Sequence, residues 1–130
     1  MIVLDTHIWF WWVNGEHARL SASLLESLAT VTRVGISPVS CFELALAARR
    51  GRLQLPVEPA VWVEQALGPS GIELLPLDAA IALRAVGLPE HHRDPFDRMI
   101  IATALELDAQ LASVDSAFGA YEELSGRVIA

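Results

Sequence analysis

Four carboxylates in this chain have the type and the spacing for metal chemistry. Asp5 directly follows the apolar run Ile2–Leu4, and Asp115 directly follows Gln110–Val114. Glu43 lies in the first turns of an Ala- and Leu-rich segment that follows Val34–Ile36, and Asp97 comes three residues after Asp94, which precedes Pro95. If the apolar runs are parallel strands, their carboxyl ends share one sheet edge, where open α/β folds bind ligands. Carboxylates gathered there raise one another's pKa. Their usual counter-charge is a hard cation with oxygen ligands, Mg²⁺ or Mn²⁺. Such an ion acidifies water and neutralises a phosphodiester, so the pattern points to metal-assisted phosphodiester hydrolysis.

Each acid also has a purely structural use. Asp5 and Asp94 fit helix N-caps, the latter with Pro95 at the first helical position. Asp97 suits a first turn, where the helix dipole favours negative charge. Asp115 suits a turn. Glu43 is the hardest to explain in this way. Its neighbours are Cys41, Phe42, Leu44, Ala45 and Leu46, and an unpartnered acid among such residues is costly to bury.

The elements that must position these acids follow from pattern and punctuation. Short apolar runs predict strands at Ile2–Leu4, Val34–Ile36, Ile72–Leu75 and Gln110–Val114, with a fifth at Arg127–Ile129. Helices are predicted over Thr6–Val13, Ser21–Ala29, Val39–Arg49, Val57–Leu67, Asp78–Val86 and Pro95 to about Leu107. Strands alternating with helices predict an α/β fold: a three-layer α/β/α sandwich around a parallel sheet of four to five short strands. The 130 residues, with no repeat and no linker, are expected to form one domain, 1–130.

Composition narrows the chemistry. Hydrophobic residues make up 53% of the chain, which excludes disorder. No apolar run approaches the roughly 20 residues of a membrane span, no leader peptide is expected, and a cytoplasmic location is the expectation. The single cysteine, Cys41, excludes an internal disulfide and a cysteine zinc site. All nine basic residues are arginines, so Schiff-base, P-loop and Ser-Lys chemistries are excluded. The net charge of −7 disfavours passive binding of nucleic acid. A divalent ion in the carboxylate cluster supplies the missing positive charge.

Four segments now carry a resemblance: Ile2-Val3-Leu4-Asp5-Thr6-His7, Ser37 to Leu46 (SPVSCFELAL), His91 to Ala104 (HHRDPFDRMIIATA) and Leu111 to Phe118 (LASVDSAF). In this order, over nearly the whole chain, they resemble PIN-domain proteins of the VapC type, toxins of bacterial toxin–antitoxin pairs. The third segment, with its DPFDR core, is the most specific. The resemblance implies a Mg²⁺- or Mn²⁺-dependent ribonuclease centre. The family's first acid falls on Asp5, its glutamate on Glu43, its third acid on Asp97 and its more variable fourth acid on Asp115. Thr6 and Ser113 match small hydroxyl positions, and Asp94 is placed as a supporting contact. Asp5 and Asp97 would hold the principal metal, with Glu43 and Asp115 acting through water or on a second ion. The nucleophile arises at the metal, so no histidine or lysine base is required. The resemblance also implies an RNA substrate and a small DNA-binding antitoxin as partner; a homodimer inside a larger complex is the expected assembly.

Other features are weighed for partner or substrate contact. Trp9, Phe10, Trp11 and Trp12 radiate around one short helix and cannot all face one core. At least one is therefore expected at a contact surface, with Trp9, Trp11 and Trp12 the candidates for partner contact, and the alternative is a wide helix buried on two sides. Arg49, Arg50 and Arg52 form the one basic run, expected either on a solvated helix end or against RNA phosphate or an acidic antitoxin segment. Arg98 and Arg93 flank the acids, and Arg98 is expected to contact phosphate or antitoxin. His91-His92 reads as a solvated loop and His7 as a helix-surface residue.

Two other enzyme classes fit poorly. A receiver domain needs a late lysine, and a DxDxT phosphatase needs a second Asp after Asp5. The alternative that stays open is a non-catalytic PIN-like module that binds a protein partner.

Overall fold

The computed structural model describes residues 1–91 and 94–130. His92 and Arg93, singled out above, lie outside the described residues. The strands are β1 (Ile2–Leu4), β2 (Val34–Ile36), β3 (Ile72–Leu74), β4 (Gln110–Ala112) and β5 (Val128–Ile129). All pair in parallel, in the order β3-β2-β1-β4-β5. Ile2 is opposite Val34 on one side and Gln110 on the other, so β1 is the central strand.

The helices are α1 (Thr6–Val13), α2 (Ala22–Thr30), α3 (Pro38–Arg49), α4 (Pro59–Ala66), α5 (Ala79–Gly87) and α6 (Pro95–Glu106). Most start where a side chain satisfies an orphan N–H. Ser21 Oγ accepts from Leu24 N–H, Ser37 Oγ from Val39 N–H and Asp78 Oδ1 from Ile81 N–H. Pro38, Pro59 and Pro95 open α3, α4 and α6, where a missing N–H costs nothing.

Strand side chains alternate between faces, and two cores result. Ile2 and Leu4 pack with Ile8 and Trp9 of α1, Leu24 of α2, Leu44 of α3 and Trp62 of α4. Val3 packs on the other face with Ile81 of α5 and Ile100 and Ile101 of α6. Helices α1–α4 therefore cover one face and α5 and α6 the other, which is the expected α/β/α sandwich. Parallel sheets need this cover on both sides.

Several boundaries differ from the sequence reading by one or two residues. Strand β4 ends at Ala112 rather than Val114, because Ser113 turns its hydroxyl toward Asp5 and to the N–H of Asp115. Strand β3 ends at Leu74 rather than Leu75. Helix α4 begins at Pro59 rather than Val57, since Pro at the first helical position sets the start.

Trp9, a candidate for partner contact, is instead fully enclosed in the first core. Its ring meets Trp62 edge to face at 5.0 Å, and its Nε1–H donates to Ala66 O at 3.4 Å. A buried indole needs such an acceptor. Trp11 and Trp12 are only half-buried. Trp12 stacks on His17, and Trp11 carries the Arg19 guanidinium 5.5 Å above its ring.

Candidate active site at the carboxyl edge of the sheet

Asp5 leaves the end of β1 between β2 and β4. Its backbone N–H still donates to Ala112 O at 2.9 Å. The buried carboxylate accepts from Thr6 N–H through Oδ1 (2.8 Å) and from Ser113 Oγ through Oδ2 (2.9 Å). Asp5 is thus both the cap of α1 and a fixed acid at the sheet edge. Burial raises its pKa above the ordinary carboxylate value. The bonds from Ser113 and Thr6 pull it back, and the nearby Asp115 raises it again.

The next residue reaches α3. Thr6 Oγ1 donates to Glu43 Oε1 at 2.9 Å and lies 2.8 Å from Ser40 Oγ. Glu43 is half-buried, and its pKa rises to about 7. Burial is the largest cause. The Thr6 bond lowers the value, and the charges of Asp5 and Asp94 raise it. A glutamate raised this far by burial, and further by adjacent acids, is relieved by a positive charge beside it.

On the other side stands the start of α6. Asp94 caps it, with Oδ1 accepting from Phe96 N–H at 2.8 Å, and Asp97 lies in its first turn. Among the described residues, Glu43, Asp94 and Asp97 offer carboxylate oxygens within 4.8 Å of one another. These are oxygen-only donors, half-buried, on two helix starts, and they fit a shared Mg²⁺ or Mn²⁺. The grouping differs from the sequence reading, which set Asp94 outside the ligands as a cap. A cap needs one carboxylate oxygen, and a carboxylate has two. Asp5 and Asp115 adjoin this triad through their electrostatic influence, Asp115 on Asp5 and Asp5 on Glu43. Asp115 also caps the short 3₁₀ turn Ser116–Ala120 through Ala117 N–H at 2.9 Å.

Arg98 was expected at a phosphate or a partner. Its guanidinium turns instead to the end of α5, donating to Pro89 O (2.9 Å), Leu88 O (2.7 Å) and Val86 O (3.1 Å). Carbonyls at a helix end need donors, and this arginine ties α6 to α5. Sequence reasoning missed Ser40; its signal was the Ser37, Ser40, Glu43 spacing of three, which lines one helix face.

A cleft of about 430 Å³ opens over the site, lined among others by Thr6, His7, Glu43, Asp94, Phe96 and Arg50. His7 is exposed, as read from sequence. A larger groove of about 770 Å³ runs past Arg49 and Leu55 with no acid in its lining, whereas the smaller cleft borders Glu43 and Asp94. No helix among the described residues is long and apolar enough to cross a membrane.

Comparison with known proteins agrees with this architecture. The sequence profile of the PIN domain matches residues 2–124. Ribonuclease VapC22 of Mycobacterium tuberculosis is 31% identical over 115 residues, which covers 88% of this chain and 86% of that protein. VapBC2 from Rickettsia felis, solved bound to a DNA fragment from its promoter, superposes with a TM-score of 0.72 at 19% identity, covering 99% of this chain and 98% of that one. A toxin–antitoxin complex from Klebsiella pneumoniae superposes with a TM-score of 0.65, also at 19% identity, covering 100% and 97%.

Proposed function

Because the chain belongs to the PIN-domain family, we propose that it is a divalent-metal-dependent endoribonuclease and the toxin of a toxin–antitoxin pair. The observation that carries the reading is the convergence of Glu43, Asp94 and Asp97 within 4.8 Å beside the buried Asp5. The mycobacterial ribonuclease supports the activity. The bacterial toxin–antitoxin complex of the same fold supports an antitoxin partner. In this reading the chain acts in the cytoplasm on RNA, paired with an antitoxin and a second copy of itself.

Glu43, Asp94 and Asp97 would hold Mg²⁺ or Mn²⁺, with Asp5 and Asp115 beside them. When bound, the ion acidifies the attacking water and neutralises charge on the phosphodiester. The chain's own residues do the rest. Thr6 donates to Glu43 and fixes its Oε1. Ser113 and Thr6 N–H hold both oxygens of Asp5, which opposes the rise that burial imposes on its pKa. Trp11, Trp12 and Arg49 are assigned to partner contact. Arg50, grouped with them in sequence, lines the cleft.

The test is cleavage of a labelled RNA pool with Mn²⁺, together with the thermal shift that Mn²⁺ produces. A ribonuclease cuts and is stabilised by the ion. A non-catalytic PIN-like module does neither, and that result would overturn the proposal.

A further inference from the structure

Phe42 lies immediately before Glu43 on α3, and Phe96 immediately before Asp97 on α6. Their rings meet with centroids 5.2 Å apart at 43°. Phe96 lines the active-site cleft with Glu43 and Asp94. Phe42 is 55% exposed, the one aromatic among the exposed large hydrophobic residues described. No core accounts for it, since its packing is on a neighbour that itself borders the carboxylates. Phe96 packs against one side of the ring and leaves much of it to solvent.

Arg50 and Arg52 line the same cleft. Both are exposed, and neither has an ion pair among the described residues. The cleft therefore offers three different groups: carboxylates, an aromatic surface and guanidinium groups. An acidic peptide would suit the arginines but be repelled by Glu43, Asp94 and Asp97. A nucleotide chain with a divalent ion suits all three, because phosphates and bases alternate along it.

We propose that Phe42, braced by Phe96, is a stacking platform for an unpaired nucleobase next to the scissile phosphate, with Arg50 and Arg52 receiving a neighbouring phosphate. This rests on the ribonuclease reading and deepens it, because it selects RNA whose base faces are free. In a duplex those faces are covered by stacking, and the platform has nothing to bind.

The test compares two fluorescein-labelled probes, a short oligouridylate and an abasic ribose-phosphate chain of the same length. Binding is read by anisotropy in the Asp97→Asn background. Phe42→Ala is expected to weaken oligouridylate binding by roughly five- to a hundredfold, the range for loss of one base–aromatic stack. It leaves the abasic chain unaffected, and Phe42→Trp restores the oligouridylate. In the cleaving protein, Phe42→Ala raises KM more than it lowers kcat. Equal weakening of both probes, or of neither, overturns the platform and leaves the ring to a protein partner. Failure of the ribonuclease reading is visible separately, as intact RNA in Mn²⁺ whatever stands at position 42.

Discussion

Ser113 Oγ donates to Asp5 Oδ2 across 2.9 Å, a bond that joins the end of β4 to the end of β1. It replaces one more pair of strand residues with a polar clasp. The bond also opposes the rise that burial imposes on the Asp5 pKa. Ser113→Ala therefore lets that pKa climb. The acid limb of the pH–rate profile for RNA cleavage is expected to move to higher pH, because Asp5 must be ionised to work. Stability above that limb falls by about 2 kcal/mol, the usual worth of a bond to a charged group. An unchanged acid limb in the variant would remove the role given to this bond.

Asp97→Asn removes one carboxylate from a triad whose members repel one another. Cleavage is expected to fall by roughly a thousandfold, the scale of several kcal/mol of lost charge stabilisation. The fold survives, and without metal the melting temperature stays level or rises. The stabilisation by Mn²⁺ expected of the unmodified protein is lost. Asp5→Asn is expected to lose cleavage in the same way, and wild-type rates in either variant contradict the assignment.

Glu43 gives the protein a dependence on pH whose sign is fixed. Its folded pKa of about 7 stands above the ordinary 4.5, so the folded state holds its proton more tightly than the unfolded chain. The stabilising contribution is complete below about 4.5 and is lost as the pH rises through about 7. At about 1.4 kcal/mol per pH unit the upper bound is about 3 kcal/mol, and solvent screening at this half-exposed position reduces the expectation to about 1 kcal/mol. Urea denaturation of the metal-free protein at pH 5 and pH 8 measures it. Glu43→Gln flattens the difference. Because Mn²⁺ requires the carboxylate, its apparent affinity tightens over the same interval.

The three tryptophans of α1 separate in their effects. Trp9→Ala empties a site closed on all sides and is expected to cost about 3–5 kcal/mol in chemical denaturation. Trp11→Ala and Trp12→Ala cost less and act on partner affinity, read by titration with the cognate antitoxin. Unaltered affinity in both variants counts against a partner role for this helix.

Much of the scaffold was legible in the residues. Three-residue apolar runs bounded by Asp, Ser or Pro marked the strands, and Ser21, Asp78 and Asp94 marked helix starts, because caps act through their nearest backbone neighbours. The site was legible only in part. Spacing identifies the acids at strand and helix ends, but not which of their oxygens face one another. That is how Asp94 was set apart from Glu43 and Asp97. Trp9 and Arg98 depart from the sequence reading for a related reason: each meets a carbonyl on another element, Trp9 that of Ala66 57 residues away on α4, Arg98 those at the end of the preceding helix α5. An indole that finds an acceptor on α4 reads from α1 alone as surplus surface.

The central place of β1 has a bearing on folding. The strand pairs with β2 and with β4, and the partner of Ile2 in β4 is Gln110. Asp5 gains the Ala112 carbonyl and the Ser113 hydroxyl only when a segment 108 residues away in sequence returns beside β1. Contacts of such long range close late and at an entropic cost, so the acid at the sheet edge takes up its place only in the finished fold.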